Sequence, residues 1–120
     1  MNNRINNAEA KRVWQNIGKW WDEQMGEGDI FHSCLIHPAV MKQLSLSKED
    51  SVLDLACGNG ALTRKIAQVA GKVIGVDFSE SLLIAAQSKT SENTNIIYKN
   101  IDLIDKNNLE QLLSLGNFNK

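Results

Sequence analysis

Apolar positions follow two different periods along the chain. From Val13 to Met25 they recur every three or four residues, at Val13, Trp14, Ile17, Trp20, Trp21 and Met25, with Lys11, Arg12, Gln15, Lys19 and Asp22 between them. That is the period of an amphipathic helix. Gly26-Glu27-Gly28-Asp29 stops it, and a shorter helix is predicted from Pro38 to Leu44, where Val40, Met41 and Leu44 share a face and proline is tolerated in the first turn. From Val52 to Ala56 the run is nearly continuously apolar, interrupted only by Asp54. Such a run suits a parallel strand covered on both faces. Ala61 to Ala70 returns to helical spacing, with Leu62, Ile66, Val69 and Ala70 on one face and Gly71 placed as a C-terminal stop. Lys72 to Asp77 reads as a second strand, and Ser79 then caps a helix in which Phe78 and Leu83 are spaced for a hydrophobic staple. Asn95 to Asn100 is a third strand. Asp105 is placed to cap a last helix marked by Leu109, Leu112, Leu113 and Leu115 and ended by Gly116. The pattern predicts an α/β fold with a parallel sheet over residues 49–120 and a helical arm over residues 1–48.

The chemistry concentrates at the end of the first strand. Gly58 and Gly60 follow it in Ala56-Cys57-Gly58-Asn59-Gly60, where glycine lets the backbone turn tightly and approach a ligand closely. Asp77 ends the second strand seventeen positions after Gly60. In dinucleotide-type folds a carboxylate about 20 residues on binds the ribose hydroxyls, and a charged acceptor strengthens those bonds. The plainer alternative is that Asp77 only opens the next turn. A nicotinamide or flavin fingerprint needs a third glycine where this chain has Thr63, and it places a pyrophosphate on the helix N-terminus. Asp54, three residues before the turn, would repel a pyrophosphate and attract a ligand carrying an ammonium group. A Walker-type loop is excluded, since no G-K-[ST] follows.

V-L-D-L-A-C-G-N-G at 52–60, taken with G-V-D-F-S-E-S-L-L at 75–83, resembles the S-adenosylmethionine (SAM) site of class I methyltransferases. The resemblance covers Ser51 to Asp105 and implies a Rossmann-like parallel sheet, of which this chain would hold three of seven strands. It implies that Asp54, Gly58 and Gly60, with Ala56 and Cys57 of the same turn, surround the methionine end of the cofactor. Asp77 would bind the ribose, and Phe78 and Leu82 would pack against adenine. Asp102, after the third strand, would accept from the adenine amino group; as an acid in a turn it also has an ordinary structural reading. Cys57 has no base beside it in sequence and reads as a small loop residue rather than a nucleophile.

Composition narrows the setting. The net charge of −1, a pI of about 6.1 and 22% charged residues give no electrostatic case for binding nucleic acid. Cys34 and Cys57 do not share a metal-ligand spacing, and no metal site is expected. No apolar stretch is long enough to span a bilayer and the first residues lack the apolar core of a signal peptide, so the expected location is cytoplasmic.

Three tryptophans in the arm suit packing, with covering of the cofactor cleft as the functional alternative. His32 and His37 are the only histidines. Either could orient the cofactor carboxylate or accept a proton, but no partner acid is identifiable in the sequence. The methyl acceptor is not readable, because in the family resembled the acceptor residues lie largely on the fourth strand and beyond. The chain stops where that strand would start, which would leave the edge of Val52 to Ala56 bare: the chain then self-associates, is a fragment of a longer protein, or folds its arm over the gap, and association through the edge with no turnover by the chain alone is the outcome expected. A non-catalytic SAM-binding or interaction module is the alternative to an enzyme.

Overall fold

Three short strands, β1 (Ser51–Leu55), β2 (Lys72–Asp77) and β3 (Ile96–Asn100), lie parallel in the order β1-β2-β3 in the computed structural model, which describes residues 7–92 and 94–120. The first six residues of the arm lie outside the described residues. Register places Val73 between Val52 and Ile96, and Asp54 opposite Gly75. As the middle strand, β2 is covered on both faces, and Val73, Ile74 and Val76 are fully buried. Alternation sends them to opposite sides. Val73 joins Val52, Ile66 and Ala70 in one cluster, while Ile74 and Val76 join Ile101 and Leu112 in the other. A helix follows each strand in sequence, α3 (Ala61–Ala67), α4 (Glu80–Ser88) and α5 (Lys106–Ser114), with α3 supplying Ile66 to the first cluster and α5 Leu112 to the second. Ser79 and Asp105 cap α4 and α5 as predicted, accepting from the Leu82 and Asn108 amides.

Two helix ends differ from the sequence expectation. α3 stops at Ala67, and Gly71 is not in the left-handed region. Instead, the Asn95 side chain donates to the Ala67 and Ala70 carbonyls at 3.0 and 2.8 Å, satisfying acceptors that a glycine cap would otherwise serve. Gly71 is required by close approach, since a Cβ there would meet the Lys48 carbonyl oxygen at 2.1 Å. The second helix, α2 (His37–Leu44), is preceded by a π-helical turn over His32–Ile36 in which the His37 amide donates to the His32 carbonyl. Pro38 has no N–H to continue an α-helical ladder into this turn, and its ring favours opening the turn before it.

The arm helix α1 (Asn7–Met25) packs on α4. Gly18 lies so close to α4 that a Cβ would meet the Ser81 hydroxyl at 2.1 Å, and that hydroxyl donates to the Gln15 carbonyl at 3.0 Å. Trp20 is 56% exposed, so the packed stripe is narrower than the sequence period suggests.

The expected bare edge of β1 is corrected at its beginning. Asn119 N–H donates to the Ser51 carbonyl at 3.0 Å and Leu53 N–H to the Lys120 carbonyl at 3.2 Å, so the last residues run beside β1 in the parallel sense. The Asn119 side chain fixes this start through the Ser51 amide and the Asp50 carboxylate. Leu55, further along the strand, is 51% exposed. No helix among the described residues is long and apolar enough to cross a membrane. Replacing Ile74 by alanine is expected to cost about 2–5 kcal/mol, the range for truncating a fully buried branched side chain, read from urea unfolding.

Candidate cofactor site

The first strand ends in a sharp reversal. Ala56, Gly58 and Gly60 all have positive φ, at 56°, 57° and 78°. For Ala56 this is an uncommon backbone state, and it displaces the ladder so that Cys57 N–H, rather than its own, donates to the Val76 carbonyl. Gly60 N–H closes the turn onto the Cys57 carbonyl at 3.0 Å. A side chain at Gly60 would strike the Tyr98 hydroxyl and the Arg64 guanidinium, whereas nothing lies within 4 Å of a Cβ at Gly58. One glycine is demanded by packing and the other leaves open space.

Asp77 and Asp54 flank this turn. Asp77 is buried, and its two oxygens accept from the Gly58 and Ser79 amides, each at 2.9 Å. It therefore holds the glycine turn and the entry to α4 in one grip, with further lone pairs left for a ligand. Asp54 accepts from the Thr63 hydroxyl at 2.7 Å. Burial pushes its carboxyl above the usual range, the Thr63 bond opposes this, and the nearby Asp77 charge adds to it. Cys57 lies between these acids, and burial together with both charges pushes its thiol up, leaving a protonated, unreactive group at neutral pH.

Asp102 lies at the far end of the sheet. It accepts from the Asn7 amide on both oxygens, at 2.9 and 2.7 Å, and from the Ile104 amide at 3.1 Å. The turn role is thus met through Ile104, and the same carboxylate also holds Asn7 of the arm. It lines a cavity of about 190 Å³ with Val76, Phe78, Ile101 and Leu103.

Two further cavities, of about 370 and 230 Å³, continue from this one over the ends of the strands, and Ala56 borders all three. The middle one is lined by Trp14, Trp21, Gly58, Asp77 and Leu82, so Leu82 faces the tryptophans rather than Asp102. The last is lined by Asp54, Cys57, Gly58 and Asn59 from the turn, and by Trp21, Met25, His32 and His37 from the arm. Together they form a trough of the size that binds small organic ligands. The arm is its wall, with Trp14 and Trp21 edge to face at 5.4 Å. Packing and cleft covering are the same act for these two side chains.

Several site residues were not singled out from sequence. Asn59 is buried and donates to the Asp22 carboxylate at 2.9 Å and to the Gly26 carbonyl at 2.8 Å, which pins the arm's end to the glycine turn. Lys89 also pairs with Asp22, and Arg64 reaches Glu27 at 2.8 Å. Burial works to raise the Asp22 carboxyl, but Lys89 and Asn59 outweigh it and hold the group low. Thr63 had a signal, because it occupies the third-glycine position; its role as the donor that steadies Asp54 needed the fold. Asn7 and Asp29 carry no local signature. Among the described residues, no group of three or more His, Cys, Asp or Glu is placed to hold a metal ion.

A family model for the methyltransferase domain matches residues 52–114, which include both acids, the turn, β2, β3 and all of β1 but Ser51. The chain belongs to this methyltransferase family. A demethylmenaquinone methyltransferase of Staphylococcus aureus (strain JH9) is 31% identical over 97 residues, 78% of this chain and 40% of the relative. The chain thus spans about two fifths of the length of the curated relatives it matches. Among solved structures, a SAM-dependent methyltransferase from Anabaena variabilis ATCC 29413 is 27% identical with a TM-score of 0.66, over 92% of this chain and 45% of that one. The magnesium protoporphyrin IX methyltransferase from Synechocystis PCC 6803 with bound SAM shares the fold at 20% identity, with a TM-score of 0.69 over 86% of this chain and 58% of that one. The α/β class and the parallel Rossmann-like sheet expected from sequence are those of these methyltransferases.

The raised Asp54 carboxyl has a pH consequence with a definite sign. Between the ordinary carboxylate range and its folded value, the folded state binds more protons than the unfolded one, so stability rises as pH falls through the folded value. Asp54→Asn is accordingly expected to raise the melting temperature at pH 7, with the advantage over the wild type shrinking as pH is lowered into the carboxylate range. Calorimetric melting across pH 4–8 reads this directly.

Proposed function

We propose that this chain is the cofactor-binding portion of a SAM-dependent methyltransferase, with the ligand lying along the trough. The observation that carries the reading is the pair of carboxylates beside the glycine turn. Asp54 and Asp77 are held by a hydroxyl and by backbone amides, and among the described residues no lysine or arginine pairs with either. Their charge repels a pyrophosphate and suits a ligand with an ammonium group and a ribose diol. Asp77 would take the ribose, Asp54 and the Gly58 backbone the methionine end, and Phe78, Asp102 and the apolar wall of the smallest cavity the adenine.

Bound there, SAM would supply a sulfonium methyl already activated for transfer. What the chain contributes is placement and exclusion of water: the turn fixes one end, Asp77 the middle, and the Trp14 and Trp21 wall covers the cleft. The acceptor is a separate molecule whose identity these residues do not specify. A cytoplasmic location belongs to the same reading, supported by the two free cysteines.

Calorimetry with SAM, its demethylated product S-adenosylhomocysteine (SAH) and NAD tests the reading. Either methyl-cycle ligand should bind more tightly than NAD; the reverse order defeats it. Asp77→Ala should weaken SAH binding by about 1–3 kcal/mol, the scale for losing hydrogen bonds to a charged group, and unchanged affinity in a folded variant removes Asp77 as the ribose ligand.

Association is part of the proposal. The Leu55 end of β1 offers an apolar edge to a further strand, and a second copy of the chain is the occupant expected at high concentration. Light scattering that reads a single-chain mass there removes this part.

A further inference from the structure

The sequence offered no acid for either histidine, but the fold supplies one. Asp29 Oδ1 accepts from His32 Nδ1 at 2.8 Å and from the His32 backbone amide at 2.9 Å. Those two bonds, the backbone one first, hold the Asp29 carboxyl below its usual range, so it is an anion that can only accept. The proton of a neutral imidazole must then sit on Nδ1, and Nε2 carries a lone pair. His32 opens the π-helical turn and lines the cavity that Asp54 and Gly58 also line. Gly28, with φ of 115°, packs closely behind the turn, a Cβ there lying 3.0–3.3 Å from the His37, Ser33 and His32 side chains, and its carbonyl accepts from the Ser33 hydroxyl at 2.8 Å. π-Helical turns of this kind recur at functional sites.

The charged groups around His32 are few. His37 on α2 lies 5.7 Å away, ring to ring. Burial and then the Lys65 ammonium, 3.0 Å from its Nδ1, favour the neutral form of His37, so it adds no positive charge against His32. Asp54 on β1 borders the same cavity, and Glu27 is drawn away toward Arg64.

We propose that His32, oriented by Asp29, is the proton acceptor for methyl transfer, and that the acceptor is therefore a molecule with a protic O–H, N–H or S–H nucleophile on an apolar body. The inference rests on the cofactor reading above. As the acceptor's nucleophilic atom bonds to the methyl carbon, the carbon–sulfur electron pair stays on sulfur and the acceptor's proton passes to Nε2. The resulting imidazolium keeps its Nδ1–H on the Asp29 carboxylate, which stabilises the new charge. Trp21, Met25 and Ile36 in the same cavity supply the apolar contact.

The test needs no turnover. Nitrogen-15 NMR of the chain follows both histidines, assigned by the signal lost in His32→Gln or, should that variant not fold, in His37→Gln. His32 is expected as the Nδ1–H tautomer. Because SAM carries a sulfonium charge that SAH lacks, the ring-nitrogen resonances of His32 should differ between the SAM and SAH complexes, and those of His37 should differ less. Equal His32 resonances in the two complexes, a larger difference at His37, or the opposite tautomer overturns the proposal. Proton acceptance itself is read with 4-nitrophenol added to the SAH complex at a pH where the free phenol is protonated. The wild type should develop the phenolate band and His32→Gln should not; a wild type at saturating phenol without that band overturns the role. Failure of SAH to bind in calorimetry is a separate outcome that strikes the cofactor reading itself.

Discussion

Everything at the site depends on one carboxylate that ties two chain reversals together. Asp77 ends the central strand, and its oxygens take the Gly58 and Ser79 amides, so the glycine turn after β1 and the entry to α4 are set from a single point. Backbone amides at such turns would otherwise be left without partners in a half-buried place, at a cost comparable to a lost hydrogen bond each. The acid that a ligand would use is therefore already needed by the apo fold. This arrangement prepares the site before binding, since the turn does not have to be ordered by the ligand.

The arm contributes a different kind of order. Its helix packs on α4 through Gly18, but its end is fastened to the glycine turn by polar groups: Asn59 to Asp22 and Gly26, Lys89 to Asp22, and Arg64 to Glu27. The Arg64–Glu27 pair, with Glu27 mostly exposed, adds little on its own. The buried Asn59 amide matters more, because each of its bonds replaces one to water and breaking them strands a buried donor. A wall held mainly by such contacts can form the trough without a large apolar interface, which leaves the tryptophan faces available to a ligand.

Asp54 shows what the proposed site costs the fold. A carboxylate under the glycine turn, with Thr63 as its hydroxyl partner, is a charge in a poorly solvated place, and its own carboxyl is pushed up as a result. An amide of the same shape would sit there at lower cost, yet would lose the attraction for a cation. The exposed apolar Leu55 end of β1 belongs with it, as a part of the fold that asks for further contact rather than for burial within these residues.

The sequence by itself determined the order of the elements and several of their starts and turns. The nearly continuous apolar run of β1 called for cover on both faces, the glycines at 58 and 60 demanded a sharp reversal, and Ser79 and Asp105 marked helix starts, all of which are properties of neighbouring residues. Asp54 and Asp77 were legible as candidate site residues for the same reason, since each stands at a fixed offset from the glycines. What only the tertiary structure decided are the contacts between residues far apart in the chain. Asn95 ends α3 in place of Gly71, Asn7 meets Asp102, Asn59 meets Asp22, and Asn119 and Lys120 begin to cover β1. Side-chain amides leave no periodic or spacing signal, because their partners are backbone or polar groups placed by the packing of whole elements. Even the Asp29–His32 pair, three residues apart, depended on a π-helical turn that the pattern of apolar positions does not encode.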